Sequence, residues 1–240
     1  MDVDEKYDSD SSDNIDVEDK TVWLLIRGCT KTRGSYDISK KVGRDYSSSK
    51  WSNGSYLGGM KVDINRMEKW INDNDEDNYW YNTLVDNQGL TIKKVLKSII
   101  ETAVSAMENN ADTLGIYYTG HGETKTGNWC FSDGVLKFDA IMYALTLVNK
   151  EWKDEIDVKI ASDCCYSGNW CIESCKYIDK LYDSRVEILA ASWPGKKAYD
   201  DSKEGGYWTS SVFGGRYKDN LKWCMSVCEY GSSNIKYIGL

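Results

Sequence analysis

The one histidine of this 240-residue chain, His121, follows an apolar run and stands between two glycines, in Tyr117-Tyr118-Thr119-Gly120-His121-Gly122. Forty-four residues later, Ala161-Ser162-Asp163-Cys164-Cys165-Tyr166-Ser167-Gly168 sets two adjacent cysteines after another apolar run. Thiolate is the nucleophilic form of cysteine, and a nearby imidazole raises its fraction. Histidine and cysteine at two such places fit a cysteine nucleophile with its general base. The glycines around His121 let the backbone turn sharply and leave the ring accessible. Two plainer readings stand beside this one: a surface-loop histidine, and a pair of buried packing thiols.

The elements around these residues decide whether they can meet. Thr21–Arg27 is an apolar, β-prone run long enough for a buried strand. Gly28 to Gly59 is polar and rich in Gly and Ser, which predicts a long surface loop. Helical spacing of Ile64, Met67, Trp70 and Ile71 predicts a helix over Lys61–Asn72, followed by an acidic turn to Asn78 and a strand over Tyr79–Val85. Thr91–Asn109 is the clearest helix, with Ile92, Val95, Leu96, Ile99, Ile100, Ala103, Val104 and Met107 on one stripe and Thr91 as its cap. Strands are predicted over Thr113–Thr119, Asp157–Ser162 and Val186–Ala191. Helices are predicted over Ala140–Asn149, capped by Asp139, and over Cys171–Leu181. A last helix is expected over Ser210–Glu229, with Phe213, Tyr217, Leu221, Cys224 and Cys228 on one stripe.

Strands alternating with helices predict an α/β fold, with a mostly parallel sheet covered on both faces. Ligand sites in such sheets lie outside the carboxyl ends of the strands. The segments carrying His121 and Cys165 both fall at strand C-termini.

Composition narrows the function classes. Residues 1–20 hold nine acidic and two basic side chains, so most of the net charge of −8 belongs to this segment and the rest of the chain is nearly neutral. With almost no bulky apolar residue, residues 1–20 are expected to be a disordered acidic tail, and 21–240 the folded domain. The tail reads as solvating, or as regulatory through Ser9, Ser11 and Ser12, which sit among acids as acidophilic kinases require. Nothing resembles a basic nucleic-acid face, and no apolar run approaches a membrane span or a signal peptide. A cytoplasmic location follows as the expectation, and the eight cysteines then read as free thiols. The pairs Cys171/Cys175 and Cys224/Cys228 have zinc-like spacing, but without a spare histidine they read as buried thiols.

The two motifs together resemble a known family. Tyr-Tyr-Thr-Gly-His-Gly is similar to the histidine motif of the caspase-like peptidases, and Asp-Cys-Cys-Tyr-Ser-Gly resembles the metacaspase motif Asp-Ser/Cys-Cys-His-Ser-Gly. Leu57-Gly58-Gly59-Met60-Lys61-Val62-Asp63 is similar to the metacaspase pattern Leu-x-Gly-Cys-x-Asn-Asp. The stretch from Ile188 through Ala198-Tyr199-Asp200 to Gly205-Gly206-Tyr207-Trp208-Thr209 resembles the region after the catalytic strand. Tyr166 departs from the motif's His, Met60 from its Cys, and Val62 from its Asn.

The resemblance implies a caspase-like (caspase-hemoglobinase) fold with a six-stranded, mostly parallel sheet. It implies a cysteine endopeptidase with Cys165 as nucleophile, His121 as base, and the N–H groups of Gly122 and Cys165 as oxyanion hole. Cys164 becomes the non-catalytic neighbour. Caspases hold a substrate aspartate with arginines, one of them at the position matched by Leu57. Its absence, with Asp63, Thr119 and Asp163 at the matching pocket positions, implies cleavage after Arg or Lys of protein or peptide substrates. Asp63 has a second reading, as the cap of the helix that starts near it. Many metacaspases use calcium, but Asp133, Asp139 and Glu173 do not match the spacing, so no metal is assigned. The rival readings are a catalytically inactive caspase-like domain acting as a binding or regulatory module, and acyl transfer on the same fold.

Overall fold

The protein is described from a computed structural model over residues 19–28, 57–74, 78–85, 90–148, 156–176, 185–214, 222–229 and 232–239. The acidic segment through Glu18, the expected loop from Cys29 to Tyr56, and residues 177–181 of an expected helix lie outside the described residues.

In chain order the elements are β1 (Thr21–Arg27), α1 (Met60–Asp73), β2 (Tyr79–Leu84), α2 (Ile92–Glu108) and β3 (Thr113–Thr119). A small hairpin, β4 (Trp129–Phe131) with β5 (Gly134–Leu136), leads into α3 (Phe138–Thr146). Next come β6 (Asp157–Asp163), α4 (Gly168–Ser174) and β7 (Val186–Ala190). A second hairpin, β8 (Asp200–Asp201) with β9 (Gly205–Gly206), precedes α5 (Tyr207–Val212), β10 (Lys222–Glu229) and β11 (Ser232–Gly239).

The main sheet has the order β11-β10-β7-β6-β3-β1-β2. Its five strands from β7 to β2 are parallel, β10 runs antiparallel to β7, and β11 runs antiparallel to β10, back in the direction of the five. The expected α/β class and mostly parallel sheet are present; β11 brings the strand number to seven. Alternation along each buried strand feeds two cores. Val22, Leu24 and Ile26 of β1, Leu114, Ile116 and Tyr118 of β3, and Val158 and Ile160 of β6 face one side, under α2, α3 and α4. Trp23, Leu25, Tyr117 and Ala161 face the other, under α1 and α5. The indole of Trp23 lies over Gly115, where any Cβ would run into the ring. No described helix is long and apolar enough to cross a membrane.

Several boundaries follow the expectation closely, β3 without any change. Thr91 does cap α2, its hydroxyl accepting the Lys94 N–H at 3.3 Å. Three expectations need correction. First, α3 is entered from Lys137, which is extended and makes no side-chain cap, so Asp139 sits inside the first turn. The helix starts early because Phe138 is drawn into the core against Trp170. Second, α4 begins at Gly168, three residues before the expected start. Third, there is no helix through Cys224: α5 ends at Val212 and residues 222–229 form β10, paired with β7 from Cys224↔Ala190 to Cys228↔Val186. The spacing from Phe213 to Cys228 fits a helix. But Cys224 and Ser226 are buried while Trp223, Met225 and Val227 are half-exposed, the period-2 pattern of a strand covered on one face. The unpaired edge of β7 decides between them, because a strand there satisfies backbone groups that a helix would leave open.

Candidate active site

The strand register brings the two motifs together. Thr119, the last residue of β3, pairs with Asp163, the last of β6, and the Gly120 N–H still donates to the Asp163 carbonyl at 3.2 Å. His121 and Cys165 therefore stand the same two residues beyond the sheet on neighbouring strands. Gly122 packs directly on the Cys164-Cys165 segment: a Cβ on it would collide with the Cys165 carbonyl and lie 2.9 Å from Cys164 Sγ.

The histidine loop is held from below. The Tyr118 hydroxyl donates to the His121 carbonyl at 2.8 Å, and the Cys130 N–H donates to the same oxygen at 3.1 Å. The Tyr118 ring stacks on Trp129, and Trp129 stacks on Trp170, each with centroids 4.6 Å apart. After Gly122 the chain turns tightly, with the Glu123 carboxylate accepting from Thr126 Oγ1 (2.6 Å) and Asn128 Nδ2 (2.7 Å). His121 itself is half-buried.

The adjacent thiols differ. Cys164 is buried, its Sγ 3.4 Å from Ser162 Oγ and 3.7 Å from the Gly127 carbonyl, and burial pushes its thiol well above the usual range. Cys165 is half-exposed, with Sγ 3.6 Å from the Ala198 carbonyl. Burial raises its thiol as well, and the Lys197 ammonium draws it partly back. Tyr166, the position that departs from the family motif, adopts φ +63°, a left-handed conformation that costs a non-glycine residue roughly 1–2 kcal/mol. Its N–H donates to the Lys196 carbonyl at 2.7 Å, and its carbonyl accepts from Asn169 Nδ2 at 2.8 Å.

Beside this pair two carboxylates are buried, Asp63 and Asp163. Asp63, in the first turn of α1, is fully buried and does not cap the helix. Its Oδ2 accepts from Thr119 Oγ1 at 2.8 Å and its Oδ1 from the Gly206 N–H at 2.7 Å, with Arg66 NH1 3.9 Å away. Asp163 is also buried, and both of its side-chain hydrogen bonds land on Oδ2, from Thr209 N–H (3.2 Å) and Thr209 Oγ1 (2.6 Å). Gly206 sits between the two, since a Cβ on it would enter the Asp163 carboxylate. Burial, then the charge of Asp163, raises Asp63 far above the usual carboxylate range; burial raises Asp163 too. Both shifts favour the protonated carboxyl, and a nearby cation would oppose them.

The structure therefore gathers Asp63, Thr119 and Asp163 at one place, beside His121, Gly122 and Cys165. It adds residues to which the sequence attached no role: Gly206 and Thr209, which hydrogen-bond the carboxylates, Ala198 beside the Cys165 sulfur, and Ser167 and Ser192 behind the Cys164 backbone. Asp200, across β8–β9 from Gly206, contributes a third nearby negative charge. Their segments stand out in the sequence, but which side chains turn inward depends on the hairpin. Asp133, Asp139 and Glu173 do not converge: Asp133 accepts the Ile92 N–H at the start of α2, Asp139 is exposed, and Glu173 pairs with Lys176. Among the described residues no group of three or more His, Cys, Asp or Glu has the geometry to hold a metal ion. Cys171, Cys175 and Cys224 are free thiols, the first and last buried between α4 and β10.

No protein-family model matches this chain. No curated protein matches it either. Among solved structures it is similar to caspase-1 from Spodoptera frugiperda, with a TM-score of 0.56 and 15% identity, over 82% of this chain and 68% of that one. At that identity the likeness speaks for the fold: the chain has a caspase-like α/β fold, with the paired His and Cys segments at the carboxyl edge of its parallel strands.

Proposed function

We propose that the chain is a cysteine endopeptidase that cleaves after Arg or Lys. The observation that carries this reading is the β3–β6 register, which sets His121 beside Cys165 and, from the same two strand ends, contributes Thr119 and Asp163 to the acidic pocket. In the reaction His121 takes the Cys165 thiol proton as sulfur attacks the scissile carbonyl. The resulting oxyanion faces the N–H groups of Gly122 and Cys165. Collapse breaks the C–N bond, and His121 returns the proton to the leaving amine. Water, deprotonated by His121, then releases the acyl group from sulfur. The side chain before the scissile bond enters the pocket, where a guanidinium or ammonium favours the charged form of Asp63 and Asp163.

Peptidyl acyloxymethyl ketones ending in Arg or in Asp test both parts, with labelling mapped by mass spectrometry. Labelling of Cys165 by the Arg probe, blocked by Cys165→Ala, is expected. Labelling by the Asp probe instead would refute the pocket assignment. No labelling by either, with no turnover of any peptide, would favour the inactive binding module.

A further inference from the structure

The nucleophile segment is gripped by a pair of serines 25 residues apart in the chain. Ser167 and Ser192 are both buried, and their hydroxyls are 3.2 Å apart. Ser192 Oγ lies 3.1 Å from the Ser167 N–H and 3.3 Å from the Cys164 carbonyl, while the Ser192 N–H reaches Ser167 Oγ at 3.2 Å. One arrangement of hydrogens satisfies all four contacts. The Ser192 hydroxyl donates to Cys164, its two lone pairs take the Ser167 N–H and hydroxyl, and Ser167 Oγ accepts the Ser192 N–H. Cys164 and Ser167 bracket just two residues, the nucleophile and the left-handed Tyr166. The Ser192 hydroxyl therefore spans the turn from one side of Cys165 to the other. Gly168 seals the contact, because a Cβ on it would strike the Ser192 carbonyl.

We propose that Ser192 is a positioning residue for Cys165, its hydroxyl holding the strained turn so that the sulfur and the Cys165 N–H face the substrate carbonyl together. The proposal rests on Cys165 being the nucleophile. Its loss would free a turn whose own backbone preference is against the observed conformation, and misplacement of reacting atoms by about 1 Å costs on the order of 10²-fold in rate.

Ser192→Ala is compared with Ser174→Ala. The latter breaks a similar buried serine pair, Ser174–Ser226 at 2.9 Å, between α4 and β10. Each variant is melted, assayed on an Arg peptide, and alkylated with iodoacetamide across pH, with the Cys165 adduct followed by mass spectrometry. Ser192→Ala is expected to lose about 10²-fold in kcat with KM changed by less than about threefold, and to shift the pH midpoint of Cys165 alkylation upward. Ser174→Ala is expected to keep both. Should Ser192→Ala not fold, Ser192→Cys, which weakens all three contacts of the hydroxyl, is expected to show the same pattern in milder form. Wild-type kcat and alkylation profile in a folded Ser192 variant would overturn the proposal, as would losses matched by Ser174→Ala. Turnover by Cys165→Ala would refute the nucleophile reading separately.

Discussion

Replacing Asp63 by Asn should make the protein more stable and lower the proposed peptidase activity. The Asp63 carboxyl is fully buried, and burial, then the charge of Asp163, pushes it up to about 8 from an ordinary value of 3.8. A group whose folded value is raised binds its proton more tightly in the native state, so stability is fully present below the unfolded value and is lost as pH rises toward the folded one. The window runs from about pH 4 to about pH 8. Each pH unit across it is worth about 1.4 kcal/mol, an upper bound near 6 kcal/mol for the whole span. A gap of about 2 kcal/mol would correspond to about 4–8 °C in Tm for a chain of this size. Asn keeps an oxygen for the Gly206 N–H and an amide for the Thr119 hydroxyl, without the charge. Melts of both proteins at steps from pH 4 to pH 8 should coincide at the acid end and diverge steadily, Asn above Asp. On Arg peptides the same substitution removes a charge-assisted contact of about 1.5–3 kcal/mol, so kcat/KM should fall about 10- to 100-fold. Parallel melting curves across the whole range would refute the reasoning, since the carboxylate would then carry no burial penalty.

The other expectations concern the site's individual residues. Asp163→Asn should lower kcat/KM on Arg peptides more than Asp63→Asn does, because among the described residues its Oδ1 makes no hydrogen bond and stays available to a guest; the reverse order in steady-state kinetics would assign the main contact to Asp63. Cys165→Ala should abolish turnover, whereas Cys164→Ala should keep most of it and lose about 1 kcal/mol in urea melts from the broken contacts to Ser162 and Gly127; the opposite pattern would move the nucleophile by one residue. His121→Ala should retain the fold by circular dichroism and lose several orders of magnitude in kcat, and retained turnover would point to another base. Gly122→Ala should cost about 10²-fold in kcat, because the added methyl must push either the Cys165 carbonyl or the histidine loop aside; wild-type kinetics would show that the loops yield freely.

Much of this protein is legible in the sequence because the decisive signals are local. The heptad-like stripe of α2, the continuous apolar runs of β1, β3 and β6, and the glycines around His121 report the conformation of their own few residues. Alternation of such runs implies a parallel sheet, and a parallel sheet puts loop residues at its carboxyl edge, so the placement of His121 and Cys165 follows before any contact is known. The C-terminal strands did not follow in the same way. From Phe213 to Cys228 the apolar spacing suits a helix, and what overrides it is the open edge of β7, a partner 30 or more residues away in the chain. The same limit governs the site. Asp63 can be suspected from its motif, but that its carboxylate turns away from the helix end and meets Thr119 and Gly206 depends on β3 and on the β8–β9 hairpin. The serine pair behind Cys165 has no local signature: Ser167 and Ser192 become neighbours because β6 and β7 pair in register and both chains leave the sheet at the same edge. Periodicity within a segment is written in the order of residues, whereas a hydrogen bond between segments is set by the packing of the whole sheet.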